Sequence, residues 1–167
     1  TDVALEDNMG VSLMTIGPEV SQTWALRNSS LMLSGSYTNL YFYNKLLKSN
    51  LNWVKPVETT NFTTVYRLKP SARSLLKVFS TFDRGSLEYE VPAPHQFSVK
   101  SKSATSYTNV HYRNSLSENT VFNAGISATF DQRTLIPGAV RLHDRDRSVE
   151  ARFTFSHRLA DGFKLLW

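Results

Sequence analysis

The stretch Ser71–Val91, SARSLLKVFSTFDRGSLEYEV, changes its hydrophobic period partway along. Ala72, Leu75, Leu76, Val78, Phe79 and Phe82 recur at spacings of three and four, which predicts a helix with one apolar side. Pro70 stands just before it, and the Ser71 hydroxyl is placed to cap the first turn. Asp83, Arg84 and Gly85 then predict a break, with Gly85 supplying the positive φ of a helix end. Beyond the break the period becomes two. Leu87, Tyr89 and Val91 alternate with Ser86, Glu88 and Glu90, the pattern of a half-buried strand closed by Pro92 and Pro94.

Outward from this segment the chain reads mostly as strands. N-terminally, residues 1–10 are polar and without period, and Val11–Ile16 reads as a short strand before Gly17-Pro18. A strand is expected on each side of the polar turn Arg27–Ser30, and Ser34-Gly35-Ser36 reads as a turn. Tyr37–Tyr43 is a further expected strand, Asn44–Asn50 a loop or single turn, and Pro56 limits a strand begun at Trp53. Asn61–Leu68 is strand-like.

C-terminally, Pro92–Gln96 is a corner, Phe97 and Val99 start a strand, and Ser101–Ser106 is small and polar, hence a loop. Tyr107–Tyr112 and Thr120–Phe130 read as strands, with a loop at Asn114–Asn119 and a turn at Pro137-Gly138. A strand from Val140 is interrupted by a charged loop, His143–Ser148. The cleanest alternation is Ser148–Phe155, where Val149, Ala151, Phe153 and Phe155 oppose Glu150, Arg152 and Thr154. After a corner at Ser156–Gly162, Phe163, Leu165 and Trp167 alternate again. One helix against so many short strands, with turn signals throughout, predicts an all-β sandwich or barrel.

The 167 residues form one domain, divided as an N-terminal arm over residues 1–20 and a β domain over 21–167. There is no cysteine, which removes disulfides, thiolate nucleophiles and cysteine metal sites. The net charge of +5 suits an anionic partner, but the Lys and Arg residues form no run. No apolar run approaches the ~20 residues of a membrane helix, and Asp2, Glu6 and Asp7 do not suit a signal peptide. Both ends read as processed or truncated edges.

Two segments resemble the capsid proteins of picorna-like viruses. In the first, Leu75, Leu76, Phe79, Phe82, Arg84, Gly85, Ser86, Leu87 and Tyr89 match a short helix that runs through a basic-Gly-Ser corner into a strand. In the second, Phe155, Ser156, Arg158, Asp161, Phe163, Leu165 and Trp167 match the family's last corner and strand. The resemblance implies an eight-stranded jelly-roll sandwich with one or two short helices. It implies a structural subunit of an icosahedral capsid, assembled in the host cytoplasm. Its partners would be the other capsid chains and, non-specifically, genomic RNA. No membrane insertion is expected on that reading. Two alternatives stand beside it: an outer-membrane β-barrel and a carbohydrate-binding jelly-roll module.

No catalytic, cofactor or metal residues are expected. His95, His111, His143 and His157 have no metal-ligand spacing. His143 with Asp144 and Asp146 is flanked by Arg141, Arg145 and Arg147, which would repel a cation. Glu88 and Glu90 share a strand face and read as a wet surface rather than an acid–base pair. Tyr37, Tyr41, Phe42 and Tyr43 could stack bases or sugars but read more simply as packing. The sequons at Asn28 and Asn61 carry no weight without a secretion signal. Phe79 is expected in the core, where Phe79→Ala would cost ~3–5 kcal/mol.

Overall fold

The computed structural model describes residues 8–14, 17–46, 52–92, 97–160 and 163–166. Nine strands form one antiparallel sheet: β1 Asn8–Met14, β2 Gly17–Ala25, β3 Ser29–Asn39, β4 Asn52–Ser71, β5 Ser74–Val91, β6 Phe97–Ser115, β7 Thr120–Pro137, β8 Leu142–Ala160 and β9 Phe163–Leu166. Their spatial order is their order in the chain, so every strand pairs only with its sequence neighbours. The one described helix, α1 (Tyr41–Leu46), bridges β3 and β4. Asn39 opens it, its Oδ1 accepting from the Tyr41 amide at 2.8 Å.

The all-β expectation holds. The eight-stranded sandwich is replaced by a single meander, since a jelly roll needs two facing sheets with strands paired out of sequence order. β1 and the start of β2 also fall within residues 1–20, which the sequence set apart as an arm.

The helix expected over residues 71–82 is a strand. β5 runs unbroken from Ser74 to Val91, paired along its length with β4 on one side and β6 on the other. Its apolar residues divide between two faces: Leu76, Val78 and Phe82 on one, Leu75 and Phe79 on the other. Two period-two sets laid over each other imitate helical spacing. Long neighbours in register decide the outcome, because Phe62, Tyr66 and Leu68 of β4 stand opposite Phe82, Val78 and Leu76. Ser71 caps a turn instead of a helix, its Oγ accepting from the Arg73 amide at 3.2 Å and lying 2.7 Å from the Ser74 Oγ. Gly85 does not take positive φ. It is a mid-strand residue opposite Thr59 and Ser103.

Other expected breaks are also absorbed into strands. Ser34–Ser36 lies inside β3, Ser101–Ser106 inside β6, and both 143–148 and 156–160 inside β8. Tyr37–Tyr43 is strand only to Asn39 and then enters α1. β4 passes through Pro56 by irregular register between Trp53 and Glu58, the means by which a strand accommodates a missing donor. The Pro137-Gly138 turn is present: Gly138 has φ 61°, and the Val140 amide donates to the Pro137 carbonyl at 3.2 Å. Residues 1–7, Thr15, Ile16, His95, Pro94, Asp161, Gly162 and Trp167, to which the sequence reading also assigned roles, lie outside the described residues.

A single sheet has no interior of its own. Among the described residues Val99 is the sole buried apolar side chain, at 8 % exposure. The chain exposes 12196 Å², where a folded 19.0 kDa monomer exposes about 8,400 Å².

Candidate functional site: the two faces of the sheet

Residues directly opposite across a strand pair point to the same side, and successive residues point to opposite sides. The register therefore sorts β2–β8 into rows on two faces.

The first face carries most of the aromatic and branched residues, with one largely polar row, Gln22, Leu33, Thr64, Ser80, Thr108, Ala128, Val149, between its apolar rows. One row runs Val20, Gly35, Phe62, Phe82, Ser106, Phe130, Arg147. Two rows on it reads Trp24, Leu31, Tyr66, Val78, Val110, Ile126, Ala151. The next reads Ser29, Leu68, Leu76, Tyr112, Ala124, Phe153. Along β7 this band extends from Phe122 to Phe130, about 26 Å at ~3.3 Å per residue. Several of its side chains are open to solvent, including Ile126 at 50 %, Phe153 at 69 % and Val149 at 72 %.

One border of the band is charged. Arg84, Lys100, Lys102 and Arg145 lie beyond the Phe62–Phe82–Phe130 row. Lys100 pairs with Glu88 at 3.0 Å, and the Arg147 guanidinium sits 5.1 Å from the centre of the Phe130 ring.

The second face is more polar and zoned, with apolar residues in one row, Met32, Val65 and Phe79, and at one end, Leu87, Leu135 and Leu142. A hydroxyl row runs Ser21, Ser34, Thr63, Thr81, Tyr107, Thr129, Ser148. On one side of it lies an acidic row, Glu19, Ser36, Asn61, Asp83, Thr105, Asp131, Asp146. Two of its carboxylates, Asp83 and Asp131, are held by neighbours. Asn61 Nδ2 donates to Asp83, Thr105 to Asp131 at 2.9 Å, and Arg133 pairs with Asp131 at 2.7 Å.

Two rows beyond the hydroxyls, in the other direction, lies a basic row: Ser30, Arg67, Lys77, His111, Gly125, Arg152. Arg113 is two residues beyond His111 on the same face. A hollow of about 770 Å³ opens here, walled by His111, Asn123, Arg152, Tyr107, Asn109 and Glu150 among others.

The sequence candidates fall apart on this surface. His143 points to the apolar side, while Asp144 and Asp146 point to the polar side, so the three do not converge. Glu88 lies on the first face tied to Lys100 and to the Ser98 hydroxyl at 3.2 Å. Tyr37 lies within β3 while Tyr41 starts α1, stacked under Lys45 at 4.8 Å. Phe79 is on the polar face, 37 % exposed, with its ring 6.1 Å from that of Tyr107. Its expected core position is therefore corrected, and with it the cost of removing it.

The basic row was missed because its members are far apart in the chain. A local signal does exist. Each is a basic residue between two apolar ones: Tyr66-Arg67-Leu68, Leu76-Lys77-Val78, Val110-His111-Tyr112, Ala151-Arg152-Phe153. In a strand such a triplet puts its charge on one face and apolar surface on the other.

No family model, curated protein or solved structure matches this chain.

Proposed function

We propose that this chain forms part of the wall of a membrane-embedded β-barrel, with its apolar face against lipid and its polar face against water. The observation that carries the reading is the in-register separation of the faces. Membrane barrels present an outer apolar band about 25 Å tall over ~9–11-residue spans, against a polar interior. The band here runs over the nine residues Phe122–Phe130 of β7, within that span, and β4–β8 exceed the span required, with 18 to 20 residues each. No described helix is long and apolar enough to cross a membrane; this reading crosses with strands.

The reading also demands closure. β8 meets β9 only from Ser156 to Ala160, so the β8 edge from Leu142 to Phe155 has no described partner on that side. Unpaired main-chain groups are not tolerated in hydrocarbon. Further strands, from this protein or another copy, must continue the sheet.

The capsid subunit is the second reading, since protein as well as lipid can cover an exposed apolar face. Its first supporting segment, Leu75–Tyr89, is continuous strand without the helix and corner that carried the likeness. Flotation separates the two readings. The protein should refold only with detergent or lipid, float with phosphatidylcholine vesicles and resist alkaline extraction. Lipid-free shells on sedimentation would overturn the barrel in favour of the capsid. A lipid-free monomer that binds glycan saturably would favour the carbohydrate module.

A further inference from the structure

We infer that the polar face carries a binding site for water-soluble polyphosphate anions, built by Lys77, His111, Arg113 and Arg152 with Arg67 at its flank. The inference rests on the barrel reading in one respect: it takes this face to be the wet one.

The first argument is position. Arg67, Lys77, His111 and Arg152 alternate with Tyr66 and Leu68, Leu76 and Val78, Val110 and Tyr112, Ala151 and Phe153 of the other face. The charges therefore stand at the mid-height of the apolar band rather than at its border. Ionisable groups at that depth are costly, face a water-filled space, and mark solute pathways.

The second argument is charge. Arg67 is directly opposite Lys77. Like charges opposite each other in a sheet are destabilising. Lys77, Arg113 and Arg152 form no ion pair with a described residue. The acids of this face are mostly elsewhere. Asp83, Asp131 and Asp146 lie three rows away, ~20 Å along the strands. Glu150, two residues from Arg152, is the one carboxylate on the wall of the hollow.

The third argument is room. The hollow of about 770 Å³ has His111 and Arg152 in its lining, with Lys77 and Arg113 outside it. Gly125, between His111 and Arg152 in the row, leaves the backbone bare there, and a Cβ at that position would lie 3.8 Å from the His111 ring. Neighbouring strands are ~4.8 Å apart, so the backbones at Lys77 and Arg152 stand ~14 Å apart across β5–β8, a gap that two long side chains reaching inward can close on one polyphosphate. A single phosphate would engage fewer of the cations.

The test is equilibrium dialysis with radiolabelled inorganic pyrophosphate, on the whole chain folded in neutral detergent. Wild type should bind, more weakly as salt rises. Lys77→Gln with Arg152→Gln should lower the affinity at least tenfold. Glu150→Gln should raise it twofold or more, which tests the site in a protein that keeps all its cations. Asp83→Asn, on the distant acidic row, should leave it within twofold. Equal binding by wild type and the double variant would overturn the site. So would displacement of pyrophosphate by short-chain phosphatidic acid but not by tripolyphosphate, which would assign the cations to lipid headgroups. Flotation is measured on the same samples. A protein that floats without binding pyrophosphate overturns this inference alone. A protein that binds without floating supports the site and removes the membrane reading.

Discussion

Ile126 and Ser127 are neighbours on β7, yet they face opposite sides of the sheet. Ile126 stands in a row with Val78, Val110 and Ala151. Ser127 stands in a row with Phe79, Asn109 and Glu150. One peptide bond separates a surface of branched and aromatic carbon from one of hydroxyls, amides and charge. In a globular domain one of these faces would be covered by a second layer of its own chain. Among the described residues no second layer covers either face.

The most forceful way to break that contrast is to place the same charge on each side. Ile126→Lys should cost about 2–4 kcal/mol in urea titrations of the vesicle-bound protein, as expected for a cation at mid-band on a lipid face. Ser127→Lys should stay within about 0.5 kcal/mol. Equal penalties would mean that the faces do not differ in environment.

Next is the register itself, because a one-residue slip would exchange the two surfaces. Gly138 helps set the β7–β8 register through its left-handed φ of 61°. Gly138→Ala should lower stability by about 1–2 kcal/mol. The spacing measured between spin labels at Ser127 and Glu150 should stay unchanged, and a shifted spacing would show that the turn alone holds the faces apart.

Phe79 sharpens the comparison from the polar side. It is half-exposed and paired only loosely with Tyr107. Phe79→Ala should cost about 0.5–1.5 kcal/mol by thermal unfolding. A loss of 3 kcal/mol or more would mean that something covers the polar face. The smallest effect belongs to the border. Lys100→Ala breaks an ion pair at 3.0 Å whose lysine is half-exposed. It should change stability by about 0–1 kcal/mol, and by nothing detectable in molar salt.

These contrasts also show why parts of the fold were readable and parts were not. Ser148–Phe155 was plain because its apolar and polar residues alternate without exception. Residues 143–148 alternate as strictly, but in sign of charge: His143, Arg145 and Arg147 on one side, Asp144 and Asp146 on the other. A search for hydrophobic period alone takes that for a loop. Ser101–Ser106 has little apolar signal and is made strand by Ser86, Arg84 and Phe82 on one flank and Leu135, Gln132 and Phe130 on the other. β5 misled in the opposite way, since Leu75 and Phe79 put apolar groups on its polar side. The basic row was beyond any local reading, because Lys77 and His111 become neighbours only through the pairing of β5 with β6.

The strict nearest-neighbour order of the strands has a consequence for how this architecture can change. Each strand takes its alignment from the one before and the one after, and from no other. A hairpin inserted or deleted between two existing ones would leave every remaining pairing as it was, and would lengthen or shorten the polar rows by two positions. On the barrel reading, circumference is thus a free variable of the design, while height is set by the lipid on the apolar side. Duplication of a hairpin carrying an apolar–basic–apolar triplet would widen the wall and extend its line of cations in one genetic step.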